Sequence, residues 1–253
     1  MKVFFIMLDS VMRGGNILRG MMSLGAIAIA FAGYSTSASA DGVVPENAVV
    51  IVNEASGEGL MSVKNTDATP VLLYTRLKTV PEDKENRLVA TPQIARVQAA
   101  ETQLVRFVLK PGKPLETEKM QRVLFEGIPQ ASKGGNVVRF NIRQDLPVII
   151  RPKGLAPNSK PWTLLEWGVS GDALRVHNPS PYVVRLIPKA ILMPSSTPVE
   201  LPKAYILPGE SVSVALPQGS KANLAQTQKV RLNPVSTYGL DAGTFDAKLT
   251  LIK

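Results

Sequence analysis

The chain has 253 residues, no cysteine, a single histidine and a formal net charge of +9. The absence of cysteine excludes disulfides and thiol catalysis, and one histidine cannot supply a multi-histidine metal site. A basic balance raises nucleic acid as a partner, but the basic residues are spread through β-like runs and the chain carries an export signal, so a solvated basic surface is expected instead.

The first forty residues contain the three parts of a secretory signal peptide. Lys2, Arg13 and Arg19 precede an apolar run from Met21 to Tyr34, and Ala38-Ser39-Ala40 supplies a cleavage site. The run falls short of the ~20 residues that a spanning helix needs, so no membrane insertion is expected after cleavage. Met12 is an alternative start that keeps both arginines. The expected mature chain begins at Asp41 and holds 213 residues, with 26 basic and 19 acidic side chains and a net charge of +7. That length suits two domains of about 100 residues each, both large enough to be stable on their cores alone.

From here on, short β-like runs recur with turn residues between them. NAVVIVNE, GLMSVKN, PVLLYTRLKTV, RLVATP, TQLVRFVL, KMQRVLFEGI and the stretch over 137–152 make seven runs. Spacings of about 8 to 12 residues with Gly, Pro, Asn and Asp between them are the signature of a sandwich or barrel. Many of the twenty prolines stand at run ends, as strand edges and turns allow. A polar stretch rich in Pro, Gly and Ser follows, and 153–160 reads as a linker. TLLEWGV, ALRVHN, YVVRLIPKAIL, AYILP, SVSVALP, KVRLNPV and FDAKLTLIK then give seven more runs. The expected organisation is a signal peptide over 1–40, one sandwich over 41–152, the linker, and a second sandwich over 161–253.

Catalytic chemistry finds no support. His177, in RVHNPSPY, has no second histidine to pair with and is expected to be structural. Glu82 and Asp83 sit in PEDKEN beside lysines, where a solvated loop tip is expected. Gly134-Gly135 does not lead from a strand into a helix and lacks the context of a phosphate loop; it reads as a turn. No enzyme activity, cofactor or metal is expected.

The segment VVRFNIRQDLPVIIRP, residues 137–152, is of two kinds. Val138, Phe140 and Ile142 alternate with Arg139, Asn141 and Arg143, whereas Val148-Ile149-Ile150 is apolar on both faces. The alternating half is either an ordinary strand packed on its own core or an edge strand that pairs with another chain.

The run VRFNIRQDLPVIIRP resembles the last strand of the first domain in periplasmic pilus-assembly chaperones of the chaperone–usher pathway, where an alternating stretch leads into an apolar one ending in Arg-Pro, here Arg151-Pro152. LVATPQIARVQAAETQLVRFVL is similar to that family's Thr-Pro segment with its polar turn and following strand, although Gln93 stands where the family has a second proline. EKMQRVLFEGIP resembles the strand ending in Ile-Pro before the donor strand. ALRVHNPSPYVVRLI is similar to the Asn-Pro-x-Pro-Tyr segment of the second domain, with ILPGESVSV and NPVSTYG following in order. Together these stretches cover nearly all of residues 45–240.

The resemblance implies an all-β fold, two immunoglobulin-like β-sandwich domains in series after a cleaved signal peptide. It implies an ATP-independent chaperone of the periplasm, without cofactor or nucleic acid, that caps pilus or fimbrial subunits by donor-strand complementation and delivers them to an outer-membrane usher. Val138, Phe140 and Ile142 are then the subunit-binding row, and the half from about Leu146 completes the chain's own sandwich. The short PQASKGGN turn is similar to that of chaperones serving rod-like pili. The family's basic pair for the subunit's terminal carboxylate aligns with Val49 and Pro147, neither of them basic. Arg76, Arg143 and Arg151 are the replacement candidates. The interdomain charge network maps to Glu118 and Arg151, and its acidic third member falls on Thr237, with Asp241 as a substitute. The alternative is a secreted two-domain immunoglobulin-like structural protein, an adhesin or a pilus subunit, which would carry an N-terminal donor extension and an incomplete sandwich.

Overall fold

A computed structural model describes residues 42–129, 142–170, 173–217 and 226–251. Among them, nine strands form a first hydrogen-bonded system: β1 (Val43–Pro45), β2 (Val50–Asn53), β3 (Glu58–Asn65), β4 (Val71–Thr79), β5 (Leu88–Thr91), β6 (Ile94–Val97), β7 (Thr102–Leu109), β8 (Lys119–Pro129) and β9 (Arg143–Arg151). Their order is β5-β7-β3-β2-β9-β8-β4-β6, with β1 against β3. All neighbours are antiparallel except β2 and β9, which run parallel. Period-two alternation puts Met61 and Val63 of β3, Val105 and Phe107 of β7, Val123 and Phe125 of β8, and Val148 and Ile150 of β9 into one core. Each such side chain contributes about 1.5–3 kcal/mol of burial. Phe107 meets Phe125 edge to face across this core, with centroids 6.4 Å apart. Gly59 is required where β3 crosses β2, because a Cβ there would lie 2.3 Å from the Ile51 carbonyl oxygen.

The second system has eight strands: β10 (Glu166–Ser170), β11 (Ala173–His177), β12 (Val184–Met193), β13 (Thr197–Glu200), β14 (Tyr205–Ile206), β15 (Ser211–Val214), β16 (Lys229–Val235) and β17 (Phe245–Leu251). They lie in the order β13-β12-β16-β17-β10-β11-β15, with β14 on β12. Trp167, Leu174, Val176, Leu186, Leu192, Val230 and Leu232 form the second core. The only helical turn among the described residues is a 3-10 helix, Pro161–Leu164, which takes up the first two residues, Thr163 and Leu164, of the run expected as a strand.

The architecture is the expected one, but the count of seven strands per domain needs correction. The three strands missed, β1, β6 and β13, have three or four residues and are too short for alternation to register. Each exists because a longer strand, β3, β4 or β12, offers it an edge.

The HNPSPY segment is explained by a buried amide. Asn178 is fully buried, and its Nδ2 donates to the carbonyls of Tyr182, Ile206 and Leu207 at 2.8–3.2 Å. Its Oδ1 accepts from the backbone and hydroxyl of Ser180. The Tyr182 hydroxyl donates to the Ala156 carbonyl, tying Ala156 to the segment that leads into β12. His177 bonds through Nδ1 to the Ser211 hydroxyl at 2.9 Å. No group of three or more His, Asp or Glu able to hold a metal occurs among the described residues.

A third apolar cluster lies between the two cores. Val49, Val80, Met120 and Ile149 of the first system pack with Val183 of the second, and Tyr205 and Leu207 join from the second side. At Gly239, φ is +88° and a Cβ would lie 2.6 Å from that of Ala48, so the 236–239 turn fits against the first sandwich only as glycine.

Candidate functional site

β9 changes environment along its length. On one edge it pairs with β8 from Arg143↔Glu126 to Ile150↔Lys119. On the other edge it pairs with β2, and only from Val148↔Val50 onward. Its first half, Arg143–Pro147, therefore has one edge to which no strand among the described residues is hydrogen-bonded. The even-numbered side chains follow the same gradient: Ile142 is 42% exposed, Gln144 and Leu146 are half-buried, and Val148 and Ile150 are fully buried. Val138 and Phe140 lie outside the described residues; Ile142 is the one member of the expected row whose surroundings are seen. The apolar second half is only partly explained by completion of the sandwich. Val148 and Ile150 do fill the first core, but Ile149 on the other face is buried in the interdomain cluster.

The outward face of β4, β8 and β9 is organised in cross-strand rows. Lys78 pairs with Arg122 and Arg122 with Pro147; Arg76 pairs with Leu124 and Leu124 with Asp145; Tyr74 pairs with Glu126 and Glu126 with Arg143. Residues so paired share a face. Leu72, Tyr74 and Ile128 add an exposed apolar end to this surface.

The three arginines proposed from sequence are thereby separated. Arg143 pairs with Glu126 at 3.0 Å in the row farthest from the second sandwich. Arg76 is exposed in the middle row. Arg151 is mostly buried and held by Glu118 at 3.3 Å. The structure does not bring them together. Sequence reasoning passed over Arg122, which lies beside Pro147 and donates to Asp145 through Nε at 2.6 Å and through Nη2 to its carbonyl at 2.9 Å. The missed signal was register: Arg122 and Pro147 are 25 positions apart and meet only across two strands.

Glu118 and Arg151 meet at the junction of the sandwiches. The Glu118 carboxylate also accepts from the Val183 backbone at 2.9 Å, and its own N–H donates to the Pro181 carbonyl. Burial raises its pKa above the usual carboxylate range, outweighing the opposing Val183 hydrogen bond and Arg151 charge. Arg185 is the further charged group near it, and donates to the carbonyls of Ser236 and Thr237. Asp241 is not the substitute third member: its carboxylate caps the Gly243 N–H within its own turn. Thr237 contributes its backbone carbonyl and a hydroxyl bond to the Asn158 carbonyl.

The PEDKEN stretch is likewise more than a solvated tip. Glu82 accepts from Lys203 and, at 2.8 Å, from the Tyr205 hydroxyl, both in the second system. Lys203 also bonds Glu210 and lies 4.6 Å from the centre of the Tyr205 ring. Burial opposes ionisation of Glu82, but the Lys203 and Tyr205 hydrogen bonds hold its pKa below the ordinary value. Burial, and then the bond to Glu82, raises that of Tyr205. Asp83 pairs with Arg87. The Glu82 contacts to Lys203 and Tyr205 depend on tertiary approach over more than a hundred residues, and no local pattern announces them.

A two-sandwich chain with one strand left half-paired beside an interdomain cleft defines a class, and the comparisons place the chain in it. Residues 42–156 match the family model described as the pili and flagellar-assembly chaperone, PapD N-terminal domain, and residues 160–243 match the pili assembly chaperone PapD C-terminal domain. The chain belongs to the family of pilus-assembly chaperones of the chaperone–usher pathway, which are not enzymes. It is 41% identical over 206 residues to the uncharacterized fimbrial chaperone YhcA of Escherichia coli, covering 81% of this chain and 89% of that one. Among solved structures, a SafA pilin–SafB chaperone complex of Salmonella enterica matches with a TM-score of 0.69 at 19% identity, over 84% of this chain and 99% of that chain. The Escherichia coli chaperone DraB matches with a TM-score of 0.65 at 23% identity, over 83% and 97%.

Proposed function

We propose that this chaperone works in the periplasm, caps a pilus or fimbrial subunit with the first half of the 137–152 segment, and hands the subunit to an outer-membrane usher. The observation that carries the reading is the one-sided pairing of β9 over Arg143–Pro147, which leaves backbone donors and acceptors for a guest strand. The exposed Ile142 and the graded burial behind it support a row that projects into a partner and then passes into the chain's own core. The Salmonella neighbour is in complex with a pilin, which supports a subunit as the guest. A subunit lacking a strand exposes a groove and unpaired edges, an aggregation hazard that a lent strand removes. At about 25 cal/mol per Å2, Val138, Phe140 and Ile142 together contribute several kcal/mol before ordering costs. No nucleotide enters this scheme. In it the first domain closes at Pro152 and 153–160 is the elbow to the second, which starts at 161.

Periplasmic co-expression with a pilus subunit tests the reading. The expected result is a complex of one chain with one subunit, and a subunit that is degraded when expressed alone. A subunit that folds and accumulates without the chain, or a chain that itself assembles into fibres as the structural-protein alternative requires, overturns it.

A further inference from the structure

We propose that Glu82 is a second pin between the two sandwiches, separate from the Glu118 junction, and that acidification withdraws this pin while Glu118 keeps its hold. Glu82 stands at the tip of a tight turn. The Asp83 N–H returns to the Val80 carbonyl, and Val80 at the base of the turn is buried in the apolar cluster between the sandwiches. From there the Glu82 carboxylate takes Lys203 Nζ on one oxygen and the Tyr205 hydroxyl on the other. Glu118 reaches the same ribbon of the second sandwich by other contacts. It accepts from Val183, immediately before β12, whereas Tyr205 of β14 is register-paired to Arg185 of β12. The two carboxylates share no hydrogen-bonding partner, and a gap of about 280 Å3 lined by Glu82, Asp83, Arg87, Glu118, Lys119 and Leu207 lies between them. Domains joined by a small interface move relative to one another by default. Two pins on one strand pair fix the angle of the elbow; with one, the sandwiches rock about Glu118.

The two pins answer to acid in opposite senses. The charged and titratable groups around Glu82 are Lys203, Tyr205 and Glu210 from the second sandwich, Asp83 and Arg87 from its own loop, and Lys119 and Arg122 from β8. Asp83 is paired with Arg87, so Lys203 is the cation that Glu82 holds. Burial opposes ionisation of Glu82, but the Lys203 and Tyr205 hydrogen bonds overcome it and lower the folded pKa. The contribution of such a group is present above its unfolded value and is lost as pH falls through the folded one. Glu118, raised by burial, does the reverse and is held most firmly below its unfolded value. A protonated Glu118 still has an oxygen for the Val183 N–H. Lys203 has Glu210 of its own sandwich as a second partner, so release of Glu82 strands no ammonium group.

Because the chain has no cysteine, Lys64→Cys in β3 and Lys189→Cys in β12, both at exposed positions, place one spin label on each sandwich of the mature full-length chain. Pulsed electron spin resonance reads the distance between the labels, and circular dichroism follows folding in the same samples. The labelled parent should give one narrow distance distribution at pH 7. Stepped down to about pH 3, it should broaden reversibly while the sheet signal persists, with a midpoint below the ordinary carboxylate value of about 4.3. Glu82→Gln should already be broad at pH 7 and change little on acidification. Glu118→Gln, which keeps an acceptor for Val183, should stay narrow at pH 7. A Glu82→Gln chain as narrow as its parent at pH 7 overturns the pin. A parent that stays narrow while folded at the lowest pH, or that loses its sheet signal before any broadening, overturns the acid release, as does a Glu118→Gln chain that broadens at pH 7 as much as Glu82→Gln.

Discussion

The junction between the sandwiches makes a quantitative prediction at Glu118. Its side chain is 7% exposed, and it holds two partners at once, the Arg151 guanidinium and the Val183 N–H. Glu118→Ala leaves that buried N–H without an acceptor, which costs about 1–3 kcal/mol. It also strips the partner from Arg151, but that side chain is 18% exposed and can be partly hydrated. The second loss therefore stays below the ~3–5 kcal/mol of a fully buried broken pair. A total of about 2–4 kcal/mol follows, or roughly 5–15 °C in Tm for a chain of this size. Glu118→Gln keeps an oxygen for Val183 and should cost about 1 kcal/mol or less at neutral pH. The pH dependence separates charge from geometry. Because burial raises the folded pKa of Glu118, the folded state holds the proton more tightly than the unfolded chain. Its contribution is complete below the unfolded value and is lost as pH rises through the folded one. The stability gap between wild type and Glu118→Gln should accordingly narrow from about pH 4 to pH 7. Thermal melts by circular dichroism across that range provide the measurement. If Gln costs as much as Ala at pH 7, or the gap widens with pH, the account of the junction is wrong.

Three further outcomes are expected. Phe140→Glu should leave the melting temperature nearly unchanged and abolish subunit co-purification, since a charge would enter an apolar groove without a partner; a variant that unfolds, or one that still binds, ends the donor-strand reading. Gly59→Ala should destabilise the first sandwich by more than the ~1 kcal/mol typical of point substitutions, because its Cβ would meet the Ile51 carbonyl oxygen at 2.3 Å; urea unfolding of the variant checks this, and an unchanged midpoint contradicts the close approach. N-terminal sequencing of periplasmic material should begin at Asp41, and recovery of a chain with its leader intact would defeat the cleavage assignment.

Much of the architecture was legible along the chain because a strand's alternation is a local property. The runs that became β3, β4, β7, β8 and β12 each carry enough residues for period two to emerge from sequence alone. The same property made the change of character within 137–152 visible, and with it the question of what the alternating half is for. Short strands such as β1 and β13 escaped, since three or four residues hold no period and take their conformation from the edge they join. The candidate site was less legible still. Glu118 and Arg151 could be named from the resemblance, but Arg122 beside Pro147 and Glu82 beside Lys203 and Tyr205 are products of strand register and domain approach. A charge's role in this fold depends on its neighbours across strands and across the cleft. Those neighbours are set by hydrogen-bond pairing and by packing of Val49, Met120, Ile149 and Val183, which no single stretch of sequence contains.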